Sequence, residues 1–174
     1  MKKYILFISI LLSLNIFAQN GLKIGYVDSE IILSQYSEAI KAQGDLDAIT
    51  SKWTAQLDSM TQAYQASIQD YQKKAETLKD DKKLEAQQKI IRMEQEILEF
   101  RRQKFQQGSG EIFKKQEEIF APVKKKIYEA IKKVAKEENM SFVFDKSGDI
   151  LLLYADEAFD ITFKVLDTLR RGTN

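Results

Sequence analysis

Leu78-Lys79-Asp80-Asp81-Lys82-Lys83 interrupts a stretch, residues 36–139, that holds one proline and is otherwise dominated by helix formers. Between Leu78 and Leu84 there is no apolar residue, so a helix running through would have nothing to bury on any face. The chain is therefore expected to turn here, with one long helix going out and another coming back. Such a shape offers surfaces to hold something rather than a pocket for chemistry.

The two sides of the turn are patterned differently. Before it, Ile49, Trp53, Leu57, Met60, Tyr64, Ile68, Tyr71, Ala75 and Leu78 follow steps of four and three. Two 11-residue blocks, Ile49 to Met60 to Tyr71, give about 3.67 residues per turn and a nearly straight or slightly right-handed coil. After it, Leu84, Ile91, Leu98, Phe105, Ile112 and Ile119 recur every seven residues, the period of a left-handed seam. A second row, Phe113, Phe120, Ile127 and Val134, widens the apolar face. Arms of unequal period should pack imperfectly and splay. Gly44 marks an expected bend or helix restart in the outgoing helix. Gly108, Gly110 and Pro122 mark expected hinges in the returning one, since glycine costs about 1 kcal/mol and proline about 3 in a helix interior. If the turn centres near Asp80-Asp81, Gly108 falls opposite Trp53 and either makes room for the indole or serves as a plain flexible joint.

At the N-terminus, Lys2-Lys3, the apolar run Tyr4 to Phe17 and the small residue Ala18 read as a signal peptide, residues 1–18, cleaved after Ala18. Export gives weight to the absence of cysteine, which excludes a disulfide scaffold and a lipid-modified cysteine. The chain also lacks histidine, so Ser-His-Asp catalysis, cysteine nucleophiles and ordinary zinc sites are excluded. No enzyme, cofactor or metal is expected, and the setting is the periplasm. Removing Lys2 and Lys3 from the 27 basic residues leaves 25 against 26 acidic ones. That near-neutral balance speaks against nucleic acid as a partner.

Both ends of the mature chain change period. Lys23-Ile-Gly-Tyr-Val27 reads as a strand, followed by Asp28-Ser29 as a helix cap. Ser141-Phe-Val-Phe-Asp145 and Ile150-Leu-Leu-Leu-Tyr154 read as hairpin strands joined by Lys146–Asp149, and Asp156 as the cap of a final helix. The expected class is α+β, mostly α: a helical-hairpin arm, 36–122 with its tip near 78–83, on a small β-containing body, 19–35 and 123–174. Three strands and one helix cannot cover their own apolar surface, which predicts self-association through Ile24, Tyr26, Val27, Phe142, Phe144, Leu151 and Leu153.

The strand Lys23–Asp28, the segment Ile127-Tyr-Glu-Ala-Ile-Lys-Lys-Val-Ala135, the strand Phe142–Asp145 and Asp160-Ile-Thr162 resemble the Skp/OmpH family of periplasmic chaperones along the whole mature chain. The resemblance implies a homotrimer whose helical tentacles surround a cavity that holds unfolded outer-membrane β-barrel proteins without ATP. It also implies a basic tip, here Lys73, Lys74, Lys79, Lys82, Lys83 and Lys89, and contact with anionic lipid or lipopolysaccharide near Lys104, Lys114 and Lys115. The family's best-known members are strongly basic, and this chain is not.

A holdase needs large, adaptable apolar side chains on its cavity wall. Candidates are Met93, Phe100, Trp53, Met60, Tyr64 and Tyr71. The last four lie on the outgoing stripe, where filling the hairpin seam is the favoured role. Met93 and Phe100 lie off the seven-residue row and are the better candidates for client contact. The alternative function is a structural or adaptor coiled-coil protein of the envelope with one fixed partner.

Overall fold

The structure, a computed structural model, describes residues 21–148 and 152–172. The signal peptide assigned to residues 1–18, and Leu151 of the expected hairpin, lie outside the described residues. The protein is α+β and mostly α. It divides into two compact units, one of residues up to Tyr36 together with those from Lys126 onward, the other Ser37–Lys125.

In the first unit, β1 (Ile24–Val27) is followed by α1 (Ser29–Gln35). Asp28 caps that helix, its Oδ1 accepting from the Ile31 amide at 3.0 Å, which satisfies one of the donors a helix start leaves open. The strand pairs in parallel with β2 (Phe142–Asp145), in the register Ile24↔Phe142 and Tyr26↔Phe144. Parallel pairing requires a long crossover, and the helices between β1 and β2 supply it.

Residues 152–154 are not strand, so the expected Ile150–Tyr154 hairpin strand is absent among the described residues. Instead, the second neighbour of β1 is a single parallel bridge, Tyr26↔Asp160, with Ile161 N–H donating to the Tyr26 carbonyl at 3.0 Å. Asp156 caps a 3-10 turn (Glu157–Phe159). The final helix, α5 (Thr162–Arg171), starts six residues later than Asp156. Its first turn is held by Asp160, whose Oδ1 accepts from the Thr162 amide at 2.8 Å.

The Asp160-Ile-Thr162 segment thus has a physical task at every position. Asp160 closes the turn, Ile161 is buried at 1% exposure, and Thr162 Oγ1 accepts from the Asp28 amide at 2.9 Å. Val27, Ile32, Val134, Val165, Leu166 and Leu169 of the same unit are all buried. Thr162→Val keeps the shape but removes the acceptor of the part-buried Asp28 N–H. A loss of about 1–3 kcal/mol is expected, read as a lower urea midpoint at unchanged slope, and Thr162→Ser should recover most of it.

In the second unit, α2 (Ser37–Lys74) and α3 (Asp80–Phe105) are the two long helices, followed by α4 (Glu111–Glu137), which continues into the first unit. At 1.5 Å per residue α2 is about 57 Å long and α3 about 39 Å. Gly44 lies inside α2 without interrupting it, and the break is at Tyr36 instead, which is extended (ψ 118°) between α1 and α2. The turn between the long helices is residues 75–79. Asp80 and Asp81 belong to the first turn of α3, where carboxylates suit the positive end of the helix dipole.

Pro122 sits within a continuous α4, so the expected hinge there is absent and a single break, residues 106–110, separates α3 from α4. Gly108 adopts φ +74° in that break, and nothing lies within 4 Å of where a side chain would start. It is required for the left-handed backbone and does not make room for Trp53.

Candidate functional site

The candidate surface is the α2–α3 pair. Along α2 the sequence stripe is the covered face: Ile49, Trp53, Leu57, Met60, Tyr64, Ile68 and Tyr71 are all partly covered. Along α3 the covered residues are Ala86, Ile90, Met93, Ile97 and Phe100, with Ile97 buried at 8% exposure. Of the expected seam row, Phe105, Ile112 and Ile119 are partly covered but the first three residues are not. Leu84, Ile91 and Leu98 are 56%, 52% and 57% exposed.

Both rows repeat every seven residues, and adjacent residues on a helix are about 100° apart, so period alone does not say which row meets α2. The spacing that decides is the 3–4 alternation of Ala86, Ile90, Met93, Ile97 and Phe100, which makes a two-residue-wide stripe. Leu84, Ile91 and Leu98 stand as a single file, flanked three and four residues on by Gln87, Gln88, Glu94, Gln95, Arg101 and Arg102. Met93 and Phe100, singled out for lying off the seam, lie on it.

Near the tip the two helices are pinned by the Gln87 amide donating to the Tyr71 hydroxyl at 2.7 Å. At the far end of α3, Phe105 meets Trp53 edge to face, with centroids 6.2 Å apart and planes at 85°, a preferred aromatic geometry. Between these ends the pair leaves an open groove lined by Gln56, Met60, Arg92, Gln95, Glu96, Glu99, Phe100 and Gln103. Met60 and Phe100 share this groove, while Trp53, Tyr64, Tyr71 and Met93 are not part of its lining. Hydrogen bonds from Arg102 and then Gln103 hold the Glu99 carboxyl below its ordinary range.

The tip lysines are less free than their number suggests. Lys74 pairs with Asp70 at 2.7 Å, Lys82 with Glu85 at 2.7 Å, and Lys83 reaches Asp80 at 3.9 Å. Exposed pairs of this kind contribute about 0–1 kcal/mol, so they mainly dilute the local positive field. Lys73, Lys79 and Lys89 are exposed. Of the three lysines assigned to lipopolysaccharide, Lys104 pairs with Glu111 at 2.5 Å and Lys115 with Glu118 at 2.6 Å, while Lys114 is exposed.

In the first unit the residues assigned to self-association separate into two groups. Tyr26 and Val27 are interior, at 6% and 3% exposure. Burial, then the neighbouring Asp160, Glu157 and Asp156 carboxylates, push the Tyr26 phenol upward. Ile24, Phe142, Phe144 and Leu153 are exposed. So are Leu22, Tyr154 and Phe163, which the sequence reading did not assign to this surface. Leu22 precedes the recognised strand, and Phe163 looked like one more core position of a helix whose capping residue was misplaced.

Asp145 closes β2 onto α1. Its Oδ1 accepts from the Ser29 amide at 3.1 Å, the Ser147 amide at 3.1 Å and the Ser147 hydroxyl at 2.8 Å. Burial raises its carboxyl, and these bonds more than offset that, leaving it below the ordinary range.

The second unit is a pair of long helices packed along one stripe, and the first is a small parallel strand pair with apolar residues exposed; each by itself offers a surface rather than an enclosed pocket. The chain belongs to the OmpH-like outer membrane protein family, whose model matches residues 23–169. A crystal structure of a candidate outer membrane chaperone (OmpH-like) from Caulobacter crescentus CB15 has the same fold, with TM-score 0.71 over 88% of this chain and 87% of that one, at 15% identity. No curated protein matches the chain.

Proposed function

We propose that the protein is a periplasmic holdase that binds unfolded outer-membrane β-barrel proteins between the helical arms of a homotrimer, without nucleotide hydrolysis. The observation that carries this reading is the file Leu84, Ile91 and Leu98, each more than half exposed on a long helix. Seven residues of helix rise about 10.5 Å, so the file spaces separate, weak apolar contacts along an arm. A surface of that kind holds an unfolded chain without imposing one structure on it. Family membership and the chaperone description of the Caulobacter relative support the same role.

Trimer formation is supported by the apolar residues exposed in the first unit, Leu22, Ile24, Phe142, Leu153, Tyr154 and Phe163 among them. Large exposed apolar residues and unpaired strand edges are liabilities in a monomer. The reading is tested by purifying the mature chain, measuring its mass in solution, and diluting a urea-unfolded β-barrel protein into it. A mass three times that of one chain, with light scattering suppressed at about one trimer per client, is the expected result. A monomer that leaves the client to aggregate would sink the proposal.

A further inference from the structure

A charged contact spans the break between α3 and α4. Lys104, in the last turn of α3, places its Nζ 2.5 Å from Glu111 Oε2, the first residue of α4. The same Nζ lies 4.9 Å from the ring centroid of Trp53 on α2 and 6.0 Å from that of Phe100. Its side chain is only 19% exposed. One ammonium therefore ties three helices: α2 through the indole face, α3 through its own backbone, and α4 through a carboxylate.

Lys41–Asp45, Lys74–Asp70, Lys82–Glu85 and Arg102–Glu99 are at three- or four-residue spacing and each braces a single helix. Lys104–Glu111 instead crosses a helix boundary, and the segment it crosses holds a left-handed residue, Gly108. Gly108 is exposed and has no packing neighbour on its open side. Backbone bonds within the loop, Gly110 to the Gln106 carbonyl at 2.7 Å and Ser109 to the same carbonyl at 3.2 Å, shape the loop but do not anchor it to α2.

We infer that Lys104, Trp53 and Glu111 form an electrostatic latch on this joint. Closed, it fixes the start of α4 against the α2–α3 pair, and released, α4 pivots about Gly108. The ammonium–indole contact is a cation–π interaction strengthened by its partial desolvation. The carboxylate half is more exposed, at 43%, and so is open to screening by salt. Salt therefore loosens the joint while the apolar α2–α3 seam stays closed.

Amide hydrogen exchange on the full mature chain tests this, using the wild type, Lys104→Met and Glu111→Gln. Methionine keeps the apolar stem over Trp53 and removes the charge. Both variants should exchange about three- to tenfold faster at residues 106–113 at low salt, with Ile90–Ile97 unchanged. The wild type should approach the variants at about 1 M salt, and salt should add little to either variant. Unchanged exchange at the joint in both variants, or a salt-independent wild type, overturns the latch. So does equal acceleration along Ile90–Ile97, which would mean general loosening. If Lys104→Met fails to fold, Glu111→Gln, altered on the exposed side of the contact, decides by the same criteria.

Discussion

Leu166→Ala should destabilise the first unit by about 2–5 kcal/mol, enough to unfold most or all of a small domain's margin. Leu166 is 1% exposed and follows Val165, which is fully buried, on α5; Ile32 and Val134 are also among the most buried side chains of this unit. Removing the leucine side chain loses both its transfer free energy and the contacts of the atoms that lined it, because a core closed on several sides cannot collapse onto the gap. Ile32→Ala, at 0% exposure on α1, should cost a similar amount. Urea denaturation followed by circular dichroism reads the effect as a lower midpoint. Lys132→Ala is the control: exposed on α4 and outside the apolar surface, it should change stability by less than about 0.5 kcal/mol. A loss below about 1 kcal/mol for both core variants would show that α1 and α5 do not form the packed centre described here.

The second large effect concerns binding. Replacing Leu84, Ile91 and Leu98 together by glutamine should leave the helix pair folded, since all three are more than half exposed and glutamine is a good helix former. The same change removes the apolar file from the arm. Each leucine or isoleucine fully covered by a client contributes about 1.5–3 kcal/mol. Even half of that, over three positions, is a tenfold or greater loss in affinity for an unfolded client. The assay is suppression of light scattering by an unfolded β-barrel protein, with helix content and mass measured alongside. Ile90→Gln with Ile97→Gln gives the contrast, because those residues face α2 and their loss should lower stability first. Full holdase activity in the triple variant would remove the observation on which the proposed function rests.

Much of the architecture was legible because it depends on local properties of the chain. A run without apolar residues cannot continue a buried helical face, so a turn near Leu78–Lys83 follows from the sequence, and the structure places it at residues 75–79. The α2 stripe was legible because its apolar residues come in one file. On α3 two files compete, and the more conspicuous one, Leu84, Ile91 and Leu98, is the one left outside. The file that meets α2 is marked by the 3–4 spacing of Ala86, Ile90, Met93, Ile97 and Phe100, a fainter signal than large aliphatic residues recurring every seven. The hinges show the same limit. Gly108 breaks the helix because its backbone needs φ +74°, whereas Pro122 is tolerated inside α4.

The sequence by itself determined that the protein is mostly helical, that its long helices reverse at a charged turn, and that strand-like ends bracket them. Each of these follows from period, propensity and charge within a few residues. Only the tertiary structure decided that β1 and β2 run parallel, that Asp160-Ile-Thr162 forms the second neighbour of β1, and that Lys104 reaches Trp53 and Glu111. Such facts depend on residues brought together across 7 to 134 positions of chain. A hydrogen bond or a ring contact is won by geometry in space, and a one-dimensional pattern carries no term for it.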